Sequence, residues 1–553
     1  MGGAPGLARA SPPAASQLAS ARVEEPLFSR RALLRRGALG ALGASALAGC
    51  AGGARPSASS SSSRSITATS TATTTAAGPP SAAQWAALRQ SLSGQLILPT
   101  QSSYADSKLV YDLRFEDATP AAIAYAASAS DVQRLVDFAR THAIAPIPRA
   151  GGHSYAGYST GSGLIVDVGA LNSVSVAGSS AMVGAGTRLV DLYSALAGEG
   201  VLVPGGSCPT VGIAGLALGG GVGVLGRKYG LTADVMRALT VVTADGRLLS
   251  ADASTEPDLY WASRGGGGRN FAIATSFEFA AAPIPALALF TLEYPWAAAA
   301  DLLGAWAQWI AGAPDELWSN CLLLSAGSSG LIARATGVYV GEIAPLSGLL
   351  GDLQSAIGAA PTTNYVRAEG YLRAMLVEAG CAEITLAQCQ LSYPGSAGTL
   401  SRSAFAAKSA YFAAPPPAPA LAAITAAVES FQRELPALGG GLAFDAYGGA
   451  INTVAPDATA FVHRDALCQL QLSGSWGAGA SSETTDAVAS WLSETAAALA
   501  PYTNGEAYQN YIDPTLADWP QAYYGSNLAR LASVKRAYDP DDIFSFAQSI
   551  ALA

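Results

Sequence analysis

The sequence predicts an α+β fold in two parts, and three observations carry that prediction. Between residues 130 and 196, short β-type runs alternate with stretches whose apolar residues recur at helical spacing. After Pro283 the texture changes to longer apolar segments separated by alanine-rich helical stretches, the pattern of an antiparallel sheet with helices on one face. Between them, from Arg149 to Gly230, lies a region dense in glycine. With 553 residues the chain is long enough for two domains with cores of their own.

Taken in order, residues 1–28 are rich in Ala, Pro and Ser and read as disordered. Ser29-Arg30-Arg31-Ala32-Leu33-Leu34-Arg35-Arg36 precedes the short apolar run 37–49, which reads as a twin-arginine export signal. Leu47-Ala48-Gly49-Cys50 resembles a bacterial lipobox, which implies a lipid anchor on Cys50 and a signal over 1–50. Residues 51–80, dominated by Ser, Thr, Ala and Gly, make a linker with too few large apolar groups to fold. Order is expected from about Trp85. Ser130 with Gln133 reads as a capping box ahead of a helix whose Val132, Leu135, Val136 and Ala139 share a face. Strands follow at 144–149, 163–168 and 181–184, then a helix over 188–196 stopped by Gly198 and Gly200. Asp245-Gly246 between 239–243 and 247–250 signals a hairpin. In the second half the strands are 287–294, 321–324, 331–340, 442–447 and 467–472. The expected boundaries are 81–285, with its core over about 115–285, then 286–500, and a last segment 501–553.

Composition excludes several functions. Half of the residues are hydrophobic and 13% are charged, yet no stretch approaches the roughly 20 apolar residues of a spanning helix. A net charge of −9 argues against a nucleic-acid partner. Three histidines and no Cys-x-x-Cys argue against zinc, and no metal is expected.

The glycine-dense region carries the chemistry. Arg149-Ala150-Gly151-Gly152-His153-Ser154 and Gly205-Gly206-Ser207-Cys208-Pro209-Thr210-Val211-Gly212-Ile213-Ala214-Gly215 each set a nucleophilic side chain in a loop. Gly219-Gly220-Gly221-Val222-Gly223 follows. Glycine lets backbone N–H groups converge where a side chain would obstruct them, so such loops can cradle phosphate. Either loop alone reads more readily as an ordinary tight turn, one of them with a buried cysteine. No strand–Gly-x-Gly-x-x-Gly–helix unit of the dinucleotide-binding type is apparent.

Together the two loops resemble the vanillyl-alcohol-oxidase/PCMH superfamily of flavoproteins, and within it the berberine bridge enzyme-like oxidases. The resemblance covers nearly everything after about residue 100. It implies a PCMH-type FAD-binding domain of two subdomains over 81–285 and a substrate domain over 286–500. It also implies a C-terminal segment, 501–553, that returns to the FAD domain. It implies FAD attached twice, with His153 on the 8α-methyl group and Cys208 on C6. Around them, Arg149, Gly151, Gly152, Ser154, Val211, Gly212, Gly215, Gly220, Gly221, Ile273, Asn510 and Asn527 are the implied cofactor-binding positions. Asp234-Val235-Met236 departs from the Asp-Asn-Val usual in the family.

Hydride transfer from an alcohol needs a base for the hydroxyl proton, and a tyrosine serves only if its phenolate is stabilised. Tyr511, in Tyr508-Gln509-Asn510-Tyr511, stands where the family places that base. Tyr447 is a second candidate, with ordinary packing as its rival role. Gln471 is either a solvated strand residue or a polar group aimed at flavin or substrate, and both readings stay open. Cys208 has to react as a thiolate, so a nearby positive charge or backbone donors are expected to lower its pKa. Val211 is small where larger residues accompany dehydrogenases, which implies O2 as acceptor. Cys321, Cys381, Cys389 and Cys468 are read as buried thiols, with a Cys381–Cys389 bridge as the alternative. His142, near a helix end, and His463, on a strand, are read as structural.

The sequence thus supports an exported, lipid-anchored FAD-dependent oxidase acting on an alcohol or hemiacetal such as a sugar, with a small-molecule substrate and O2 as its partners. A second reading keeps the fold and makes C–C or C–N bonds oxidatively, or dehydrogenates with another acceptor. A third is a surface binding lipoprotein with a degenerate flavin site.

Overall fold

The structure, a computed structural model, describes Gly2 and residues 79–552. The leader with Arg30 and Arg31, the Cys50 lipobox and almost all of the 51–80 linker lie outside the described residues. No helix among the described residues is long and apolar enough to cross a membrane.

Three main sheets organise the molecule. A four-stranded sheet runs 95–97, 122–125, 164–167, 146–149, with its last three strands parallel. A five-stranded antiparallel sheet runs 174–177, 180–184, 272–280, 236–243, 248–252. The third is a seven-stranded antiparallel sheet in the order 363–369, 287–294, 331–340, 317–326, 439–446, 468–476, 404–412. The expected α+β class holds, with an antiparallel sheet backed by helices in the second half.

The first half shows why the sequence folds as it does. Helix Ala129–Thr141 buries Val132, Leu135, Val136 and Ala139, the face read from the sequence. Its cap is a correction: Ser128, not Ser130, accepts from the Asp131 N–H. Gln133 instead donates to the Gly246 carbonyl at 2.8 Å. Gly246 turns the 236–243/248–252 hairpin at φ +81°. Helix Leu189–Gly198 begins where its first amides meet loop carbonyls, Leu189 N donating to Val211 and Val190 N to Pro209.

In the large sheet, strands 287–294 and 331–340 lie where expected. Strand Leu317–Ala326 is longer than the apolar stretch 321–324, and all ten of its residues are buried. Helices 299–311, 343–357, 418–434 and 482–499 back the sheet. Ser319 faces that side, its hydroxyl accepting from the Trp306 indole at 2.9 Å. Trp318, Asn320, Leu322 and Leu324 face the other way, into a cavity. Two strands were not read from the sequence: 363–369, an edge strand, and 404–412, whose alanines blur its period.

Two further corrections concern a cysteine pair and one histidine. Cys381 and Cys389 form a disulfide with Cα atoms 5.7 Å apart, rather than free thiols; they sit in a small satellite core where eight residues of chain bring them to bonding distance. Cys321 and Cys468 are the buried free thiols. His463 lies in a loop, not on a strand, buried with its Nδ1 2.8 Å from Glu506 Oε2.

The C-terminal segment is tied to the first half by polar bonds. Gln509 donates to the Gly265 carbonyl at 2.6 Å, and Ile550 N to Asn270 Oδ1 at 2.9 Å. Lys535, fully buried, donates to the carbonyls of Asn270 and Phe544 and pairs with Asp539 at 2.6 Å.

Candidate active site

One continuous cavity of about 360 Å³ separates the glycine-dense loops from the open face of the large sheet. The loop floor is built by backbone contact. A β-carbon at Gly212 would lie 2.5 Å from Gly151 N, and one at Gly151 would fall against Gly212 N, so the two loops touch main chain to main chain. His153 Nε2 and Thr210 Oγ1 join them by a 2.9 Å hydrogen bond, and the imidazole stacks on Tyr111 at 4.2 Å. Thr210 is two residues past Cys208, so His153 and Cys208 both line this cavity. Under the Cys208 loop, Tyr193 donates to the Gly206 carbonyl at 2.6 Å. Ser154 Oγ accepts from Tyr158 N and holds the turn after His153. Gly152 turns at φ +70°.

Arg149 is buried and bonds Asp167 through Nε at 2.5 Å. Burial penalises its charge, but the Asp167 carboxylate and Tyr125 outweigh that and keep its pKa above the ordinary arginine value. Val211, Gly215 and Ile273 also line the cavity. A β-carbon at Gly215 would meet no protein atom within 4 Å.

Gly220, Gly221 and Asn527 lie elsewhere. Gly220 and Gly221 have φ of +111° and +86° and pack against Phe461 and Thr232, outside the cavity lining. Gly221 N donates to the Tyr508 hydroxyl at 3.1 Å, so this turn anchors the C-terminal segment. Asn527 donates to the carbonyls of Pro456 and Thr459 and holds that loop.

Of the three polar candidates, two reach the cavity. Tyr511 lines it, as does Asn510, whose amide donates to the Leu216 carbonyl and the Tyr508 hydroxyl. Gln471 is 7% exposed and lines the cavity, donating to the Tyr155 hydroxyl at 3.0 Å, so it is not a solvated strand residue. Tyr447 is fully buried outside the lining, its hydroxyl 3.2 Å from that of Tyr411. Burial, with Tyr411 beside it, pushes the Tyr447 phenol well above the usual tyrosine range. Burial thus disfavours the phenolate that a base would need there.

The structure adds residues that the sequence reading passed over. Tyr155 follows Ser154 directly and stacks on Tyr511, with ring centroids 5.1 Å apart and planes 3° from parallel. Its place beside His153 was a usable signal. On the sheet side, Asn320, Arg334, Glu378 and Asp445 line the cavity, with Asn320 directly across the 317–326/439–446 pairing from Asp445. Nothing in the linear sequence marks Asn320, Arg334 and Asp445, because inter-strand register decides which polar residues meet, and Glu378 is brought in by the end of helix Tyr371–Glu378.

The residues present fit FAD. The cavity is lined by two abutting glycine loops, by an open position at Gly215, and by buried polar atoms with no protein partner, Arg149 Nη1, Ser159 Oγ and Arg269 Nε among them.

Comparison with known proteins agrees. Residues 120–252 match the family described as FAD binding domain, and residues 507–551 the family described as Berberine and berberine like. Berberine bridge enzyme-like 7 of Arabidopsis thaliana is 30% identical over 78% of this chain and 84% of its own length. The solved structure of BBE-like 1 from Physcomitrella patens is 30% identical with a TM-score of 0.77, covering 85% of this chain and 99% of that one. A chitooligosaccharide oxidase structure is 26% identical with a TM-score of 0.74, over 85% and 99% of the two chains. Fold, cavity and likeness agree that this chain is an FAD-dependent oxidoreductase and belongs to the berberine bridge enzyme-like family.

Proposed function

We propose that the protein oxidises an alcohol or hemiacetal carbon of a sugar-like substrate, with FAD linked through both His153 and Cys208 and O2 as the final acceptor. One observation carries this reading: Tyr511, Tyr155 and Gln471 form a bonded and stacked group in the wall of the cavity that His153 and Cys208 also line. Bound there, FAD supplies a two-electron acceptor that takes hydride from the substrate carbon and passes the electrons on to O2. The substrate loses that hydride and its hydroxyl proton and becomes a carbonyl compound, while O2 gains two electrons and two protons and becomes H2O2.

Tyr511 takes the hydroxyl proton. Tyr155 packs on its ring, and Gln471 orients the Tyr155 hydroxyl. Arg149, Gly151, Gly152, Ser154, Gly212, Gly215 and Ile273 hold the cofactor. Val211 leaves room for O2. Asn320, Arg334, Glu378 and Asp445 supply the mixed donors and acceptors that a polyhydroxylated substrate needs, in keeping with the likeness to a chitooligosaccharide oxidase. In this reading residues 81–285 and 501–553 form the cofactor half and 286–500 the substrate half. Export by the twin-arginine route and a lipid on Cys50 complete it, resting on residues 29–50 alone.

Intact mass after denaturation tests the attachment. The wild type should retain one FAD increment, and His153→Ala and Cys208→Ala should each retain it through the remaining link. A denatured wild type lacking that increment refutes it. Oxygen uptake across a panel of oligosaccharides tests the acceptor and the substrate class together.

A further inference from the structure

Arg269 is a cavity cation without an acid. It follows Gly265–Gly268, and its own backbone has φ +63°, where glycine is the easy choice. Its guanidinium lines the cavity, donates through Nη1 to the Tyr158 carbonyl at 3.0 Å and lies 5.6 Å over the Phe546 ring. Nε is buried with no partner. The two other arginines of the lining each have a carboxylate, Asp167 for Arg149 at 2.5 Å and Glu293 for Arg334 at 2.7 Å. Arg269 has none among the described residues, and burial pushes its pKa down to about 10. Ser159, next after Tyr158, lines the same cavity with a buried and unpartnered hydroxyl.

Two donors and an uncompensated positive charge at a backbone position that resists side chains call for an anion. The cavity's own carboxylates, Asp445 on the sheet and Glu378 at the end of helix Tyr371–Glu378, do not pair with Arg269. It is Tyr155, not Tyr158, that stacks on Tyr511, so Arg269 bonds a different stretch of the loop from the proposed reacting group. We propose that Arg269 and Ser159 bind the diphosphate of FAD, with Arg269 neutralising its charge. This rests on the flavin reading of the cavity. No rule of the glycine loops requires a cation here; the loop could have closed on a fifth glycine.

The test is the phosphorus NMR spectrum of the flavin-loaded protein, compared for wild type, Arg269→Gly and Arg269→Lys. Glycine relieves the backbone, so the folded protein should survive and its thermal midpoint should hold. At least one diphosphate resonance should shift in Arg269→Gly and return toward its wild-type position in Arg269→Lys. In a His153→Ala/Cys208→Ala background, where FAD is free to leave, Arg269→Gly should weaken FAD binding about tenfold. Superimposable diphosphate resonances in wild type and Arg269→Gly would overturn the proposal. A change confined to KM for a carboxylated substrate would overturn it too, by assigning Arg269 to substrate. Folded wild-type protein with no diphosphate signal would instead bring down the flavin reading beneath it.

Discussion

The two walls of the cavity are built on different principles. The glycine-loop wall is main chain against main chain, with Gly151 and Gly212 so close that neither position has room for a β-carbon. The sheet wall is a set of side chains on alternate positions of strands 317–326, 331–340, 439–446 and 468–476. A wall made of backbone admits few substitutions, because any side chain displaces a loop. A wall made of alternate side chains can change its chemistry while the sheet's hydrogen bonds stay intact. The contrast suits a cofactor that stays the same across relatives and a substrate that differs.

Substitutions on the two walls sharpen this contrast. The largest effect is expected from Gly151→Ala. The added carbon would force the His153 and Cys208 loops apart, so flavin per folded protein, read from the visible absorbance, should fall at least tenfold. An Ala variant with full flavin content would break the comparison. Next comes Tyr511→Phe, which should keep its flavin but lose about 10²–10⁴-fold in kcat/KM. Tyr447→Phe separates the two tyrosines. Burial raises the Tyr447 pKa and so disfavours its phenolate. Loss of its hydroxyl should leave the pH–rate profile in place, whereas Tyr511→Phe, which removes the proposed base, should abolish the rise of rate with pH. The smallest effect is expected on the sheet wall. Asn320→Ala should raise KM about tenfold through a lost hydrogen bond with flavin content nearly unchanged, while the thermal midpoint falls because the buried Thr336 hydroxyl loses its acceptor. A loss of flavin in that variant would show that the walls are not independent.

What could be read from the sequence was set by local chemistry. The His153 and Cys208 loops were legible because tight turns need glycine at particular backbone positions. The buried face of helix 129–141 was legible because period 3.6 is written in the chain. Its cap was missed because Ser128 and Ser130 are both capping types and only the chain's path chooses between them. Tertiary structure alone decided the rest. It buried Tyr447 against Tyr411, turned Gln471 into the cavity and closed the Cys381–Cys389 bridge. It also set Tyr155 on Tyr511 across more than 350 residues of chain and placed Asn320 opposite Asp445. Apart from the bridge, which a short stretch of local chain closes, these contacts depend on strand register and on where the C-terminal segment docks. Both are fixed by packing between distant parts of the chain, which no local pattern records.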